Sequence, residues 1–211
     1  MPNVKYLIVH TAAADIPNVD AAVIDRWHRK RKFKGIGYHY VIIDDRHDTL
    51  ADGTIQTGRS EDRTGAHAKG VNSRSLGVCC VGHGDVRDFT QAQKGSLTGL
   101  LVRLAEKYNV PTQNILGHRE INTLIPHKLA AKYETDKSCP GHRVDMDEIR
   151  GLVEAARNGA PVVMGGAVGA PSRAAVIEAI RVIERNEAAL GNAIDEWRDF
   201  RNTGEVHGMM G

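Results

Sequence analysis

Tyr6-Leu7-Ile8-Val9-His10 is a continuous apolar run closed by a histidine. A run this short, between polar flanks, reads as a buried strand rather than a helix. Working outward, Val19–Lys30 sets Val19, Val23 and Trp27 at i, i+4 and i+8, a helix with one buried stripe. Tyr38–Ile43 is β-branched and aromatic and predicts a strand. Asp52-Gly53 marks a hairpin turn into Thr54-Ile55-Gln56. Ser75–Val81 is a further strand. Thr90 followed by Gln93 is a capping box. The helix it opens carries Leu97, Leu100, Leu101 and Leu104 on one face and stops near Tyr108, before Pro111. Ile115–Gly117 is a short strand ending at His118, and Asp145 or Asp147 starts a last helix. Strands alternating with helices predict an α/β fold: a mixed central sheet, helices over its faces, and one core.

Composition bounds the rest. The chain has 211 residues, 41% of them hydrophobic and 26% charged. Those proportions exclude a largely disordered chain and a bundle of membrane spans. A formal net charge of +2 argues against a dedicated nucleic-acid binder. Three cysteines, two of them adjacent (Cys79 and Cys80), build no disulfide framework. No signal-peptide pattern follows Met1, and no stretch reaches the roughly 20 apolar residues of a membrane span. The expectation is synthesis in the cytoplasm. Ten histidines raise the question of metal or acid–base chemistry.

A boundary lies late in the chain. Residues 1–150 carry 22 Lys+Arg against 18 Asp+Glu, and residues 151–211 carry 6 against 8. The first 158 residues read as the catalytic domain. Residues 159–171 hold no charge and several Gly and Pro, and read as a linker. In residues 172–203, Val176, Ile180, Ile183, Glu187, Leu190, Ile194 and Trp197 follow a heptad spacing broken only by Glu187. That predicts one amphipathic helix of roughly seven turns, with residues 204–211 as a tail. Three roles stay open for the helix: docking on its own catalytic domain, self-association, or contact with a bacterial envelope, which its mixed Arg and Glu polar face does not favour.

A catalytic zinc site draws three ligands from His, Cys and carboxylate and leaves a fourth position for water. His10 and His118 each end a strand, and Cys139 sits in the turn-rich Asp136-Lys137-Ser138-Cys139-Pro140-Gly141. Strand ends and loops at one sheet edge are where such a site can assemble. His127 and His142 are rival candidates close to Cys139 in sequence. His39 follows Tyr38 and is expected on the other side of its strand. Cys79 and Cys80 read as packing residues.

Six motifs occur in order: Tyr6-Leu-Ile-Val-His10, Gly37-Tyr38-His39-Tyr40-Val-Ile, Gly65-Ala-His67-Ala-Lys69-Gly70, Ser75-Leu-Gly-Val-Cys79, Gly117-His118-Arg-Glu and Lys137-Ser-Cys139-Pro-Gly. Over about residues 4 to 150 the set resembles the zinc-dependent N-acetylmuramoyl-L-alanine amidases, which include phage endolysins and the peptidoglycan recognition proteins. The resemblance implies that family's fold and one zinc ion per chain on His10, His118 and Cys139. It favours His118 over His127 and His142. It implies catalytic roles for Tyr38 and Lys137, near the oxyanion formed when the amide between N-acetylmuramic acid and L-alanine is attacked. His67 and Lys69, in a loop bordering the groove, are expected substrate contacts.

This sequence also departs from that pattern. A long segment, Asn122–Thr135, separates His118 from Cys139, expected to shape the groove rim or to form a short helix of its own. Arg31-Lys32-Phe33-Lys34-Gly35 stands where relatives often carry a Gly-Trp pair tied to the peptide stem. Thr11 stands where the residue after the first histidine is often Cys. The implied function is peptidoglycan hydrolysis by a phage or prophage endolysin, reaching the wall after holin release. Alternatives are a non-catalytic peptidoglycan-binding protein, which the retained Cys139 disfavours, and a cytoplasmic cell-wall recycling amidase. A coliphage relative suggests phage RNA polymerase as a further partner.

Overall fold

The computed structural model describes residues 3–132 and 135–159. Apart from Gly159, the expected linker, heptad helix and tail, and with them docking, self-association or envelope contact, lie outside the described residues. Among the described residues, five strands form one mixed sheet: β1 (Tyr6–Thr11), β2 (Tyr40–Ile42), β3 (Ile55–Thr57), β4 (Ser75–Cys80) and β5 (Ile115–Gly117). Their spatial order is β3-β2-β4-β1-β5. β1 runs parallel to both β4 and β5, β2 runs parallel to β4, and only β3 is antiparallel. Three helices cover the sheet: α1 (Ala21–Lys30), α2 (Gln91–Tyr108) and α3 (Met146–Arg157). Among the described residues no helix is long and apolar enough to cross a membrane.

Both faces of the sheet are apolar, as parallel strands covered on both sides require. Leu7 and Val9 of β1 and Leu76, Val78 and Cys80 of β4 pack with Leu97, Leu100, Leu101 and Leu104 of α2 and Ile149 and Val153 of α3. On the opposite face Cys79, Val41 and Ile43 meet Val19 and Ile24 beneath α1. Cys79 and Cys80 are thus packing residues on opposite faces. The stripe of α1 is rotated from the expected one. Ile24 and His28 are its fully buried residues, whereas Val23 and Trp27 only flank the cluster.

The local signals act as read. The Gln93 amide donates to Thr90 Oγ1 at 3.0 Å, and the Thr90 amide donates to Gln93 Oε1 at 3.1 Å. Asp145, not Asp147, caps α3 by accepting from the amides of Asp147 and Glu148. The Asp52-Gly53 turn does lead into β3, with Gly53 at φ +81°. It closes a longer connection, because the Gly53 amide returns to the Ile43 carbonyl.

Lys94 ties the two helices of one face together. Its side chain is 5% exposed, and its ammonium lies 2.7 Å from both Asp88 and Glu148. Removing it strands two carboxylates that keep about a third of their exposure, which tempers the penalty. Lys94→Ala is expected to lower stability by about 1–3 kcal/mol, read as a lower urea midpoint at unchanged slope.

Candidate metal centre

Parallel pairing puts the C-terminal ends of β1, β4 and β5 along one edge, where open α/β sheets bind their ligands. His10 is the fifth residue of β1, and His118 directly follows β5. Cys139 arrives from a distant loop. The donor atoms of His10, His118 and Cys139 all lie within 4.8 Å of one another. Cys139 Sγ is 3.6 Å from His10 Nδ1. Bonds of about 2.0–2.3 Å at a tetrahedral zinc put donor atoms roughly 3.3–3.6 Å apart; the Cys139–His10 pair stands at that spacing, and the wider separations within the 4.8 Å span would draw in to close on such an ion. A buried nitrogen of His118, Nε2, meets no hydrogen-bond partner. The rival histidines do not join. His127 is exposed, and His142 is an exposed partner of Asp85 at 2.7 Å.

The Gly117-His118-Arg119-Glu120 motif is a scaffold. Glu120 accepts from the Gly117 amide at 2.7 Å and pairs with Arg150. The Arg119 amide donates to the Cys139 carbonyl at 2.7 Å, and its guanidinium donates to the carbonyls of Gly141 and Val144. The residue beside one ligand therefore pins the loop that carries another. From the other side, Ser138 Oγ donates to Asp85 at 2.6 Å. Two glycines let the loops meet backbone to backbone. A Cβ on Gly84 would lie 1.8 Å from the Pro140 carbonyl oxygen, and one on Gly141 would lie 2.0 Å from the Gly84 carbonyl carbon.

Electrostatics suit metal binding. Burial, then the nearby Lys137 ammonium, holds the His118 pKa down to about 4. Burial also depresses His10, followed by the charges of His67, His118 and Lys137. Both imidazoles are thus neutral, with lone pairs to offer. Burial pushes the Cys139 thiol up to about 11. It holds a proton unless a cation replaces that proton.

Tyr38 stands beside the set, its ring 5.0 Å from that of His10. Burial raises its pKa well above the usual phenol value, so it is a proton donor. Tyr38 precedes the paired strand, which begins at Tyr40, so strand alternation does not separate it from His39. Both rings lie near His67, at 6.4 and 5.6 Å. His39 is no ligand: its Nδ1 accepts from the Gly77 amide at 2.9 Å, and its Nε2 meets the Arg63 carbonyl at 3.1 Å.

A cleft of about 410 Å³ opens over the three donors and is lined by Tyr38, His67, Lys69 and Lys137. Sequence reasoning missed part of this wall. His28, Arg31 and Phe33 line it too. The Gly37 amide donates to His28 Nδ1 at 2.9 Å, fixing the backbone before Tyr38. The Arg31–Gly35 departure was the available signal. Among the described residues, three cations (Arg31, Lys69 and Lys137) and no carboxylate line the cleft.

Known proteins agree with this layout. The profile of the N-acetylmuramoyl-L-alanine amidase family matches residues 1–142. The endolysin of Escherichia phage T7 is 40% identical over 108 residues, covering 48% of this chain and 67% of that protein. The endolysin of Enterobacteria phage K11 is 36% identical over 120 residues, covering 54% and 73%. Among solved structures, the N-acetylmuramoyl-L-alanine amidase LysC from Clostridium intestinale superposes with a TM-score of 0.58 at 29% identity, covering 72% of this chain and 86% of that one. With a family profile running from β1 through the Cys139 loop, the chain belongs to the N-acetylmuramoyl-L-alanine amidase family.

Proposed function

We propose that this chain is a peptidoglycan amidase of the phage endolysin type, cutting between N-acetylmuramic acid and L-alanine with one zinc held by His10, His118 and Cys139. The observation that carries this reading is the convergence of two neutral imidazoles and one thiol at the ends of parallel strands, beside Tyr38 and Lys137. Bound there, zinc supplies Lewis acidity and lowers the pKa of its water. The protein's own groups do the rest. Lys137 projects its charge onto both imidazoles, so its field reaches the place where an oxyanion develops. Tyr38 keeps its proton and can donate to that oxygen or orient the water. Lys69, exposed on the cleft wall, is a substrate contact. A cleft lined by Arg31, Lys69 and Lys137 suits stem peptides that carry carboxylates. The phage endolysins among its relatives support a role in host lysis.

Incubation with purified sacculi tests the reading, by the appearance of new L-alanine amino termini without new reducing ends. Tyr38→Phe is expected to lower kcat about 10²–10³-fold, as loss of an oxyanion donor does, while zinc content stays at one per chain. An unchanged kcat removes Tyr38 from the chemistry.

A further inference from the structure

His67 stands behind His10, not only beside the substrate cleft. Its Nδ1 is 3.0 Å from His10 Nε2, while the other nitrogen of His10 faces Cys139. A ligand nitrogen must bring a lone pair, so a neutral His10 that binds metal through Nδ1 carries its proton on Nε2. That proton points at His67 Nδ1. His67 then holds its own proton on Nε2, which is buried and meets no hydrogen-bond partner among the described residues.

The ring is built into this position. Asn72 Oδ1 accepts from the amides of His67 and Ala68 at 2.9 and 2.8 Å, fixing the loop. Two glycines make the slot: a Cβ on Gly65 would lie 2.5 Å from His67 Cδ2, and one on Gly77 would lie 2.6 Å from its Cγ. The His39 ring closes the far side edge-on at 5.6 Å. Both glycines sit in the motifs Gly65-Ala-His67 and Leu76-Gly77-Val78. Their lack of side chains therefore serves this histidine.

We propose that His67 is a positioning residue: it accepts the Nε2–H of His10, fixes that ring's tautomer and rotation, and aims His10 Nδ1 at the metal. The inference rests on the zinc reading above. Metal-bound histidines are usually backed by an acceptor, often a carboxylate. A neutral imidazole in that role adds no negative charge. A dication with one thiolate and two imidazoles stays at +1, which favours polarisation of the scissile carbonyl.

The test compares His67→Leu with His67→Asn, whose Oδ1 can take the place of Nδ1. Zinc affinity is measured by competition with a chromophoric chelator. Geometry is read from the visible absorption of the cobalt-substituted protein. Folding is checked by thermal melting of the metal-free forms, and His67→Ala replaces the leucine variant should leucine not fit the slot. His67→Leu is expected to weaken zinc binding about 10–100-fold and to shift the cobalt bands. His67→Asn is expected to restore most of both. Wild-type affinity and an unchanged cobalt spectrum in a folded His67→Leu protein, with only KM raised, would overturn the proposal and leave a substrate contact. A wild-type protein that binds no zinc fails the underlying reading instead, and the two failures are distinct because zinc affinity and the cobalt spectrum are read without substrate.

Discussion

Cys139→Ala is expected to leave a folded protein that holds no zinc and has lost on the order of 10³-fold or more of its hydrolytic rate. The side chain contributes little to the core. It is partly exposed and sits in a loop, whereas Cys79 and Cys80 are sealed within the sheet. Its loss removes the set's only anionic donor, and two imidazoles alone are a poor tetrahedral site. Metal analysis and amino-terminus release from sacculi should therefore fall together, while the melting temperature of the metal-free protein barely moves. Exhaustive chelation of the wild type should reproduce the loss, and added zinc should reverse it. Activity that survives both the substitution and chelation would refute the zinc mechanism.

Gly84→Ala is the second large effect, and it touches no ligand. The added methyl would enter the Pro140 carbonyl, which belongs to the Cys139 loop. Both surfaces are backbone, so no flexible side chain can yield. The loops must part. Overpacking of this kind typically costs about 1–3 kcal/mol, and Cys139 moves with its loop. A lower urea midpoint and weaker zinc binding are both expected. Gly95→Ala is the control. A Cβ there meets nothing within 4 Å on α2, and a helix interior gains roughly 0.5–1 kcal/mol from the exchange. Equal behaviour of the two variants would mean that the loop contact is slack.

What the sequence made legible is what short-range pattern controls. The apolar runs of β1 and β4, the Thr90–Gln93 box and the leucine face of α2 carry their own signals, and each appears where expected. The three donors were legible because each stands inside a recognisable motif at a strand end or turn. The α1 stripe was read one position off, because Ile24 and His28 are chosen by what lies under the helix. His39 was placed opposite Tyr38 by alternation, but the regular strand begins at Tyr40 and Tyr38 packs with Val41 and Ile43. The work of His67, Arg119, Gly84 and Gly141 was not legible at all. Each acts through a contact with a residue far away in sequence, and periodicity reports nothing about such contacts.

The spread of the donors along the chain has a consequence for when lytic capacity can exist. His10 and Cys139 are 129 residues apart, and His118 reaches them only once β5 has paired with β1. A nascent chain still short of the Cys139 loop has both imidazoles but not the third donor of the set. It is inert toward the wall, whatever its local structure. Competence therefore arrives in one step, at the end of folding, and metal capture rewards only the finished topology.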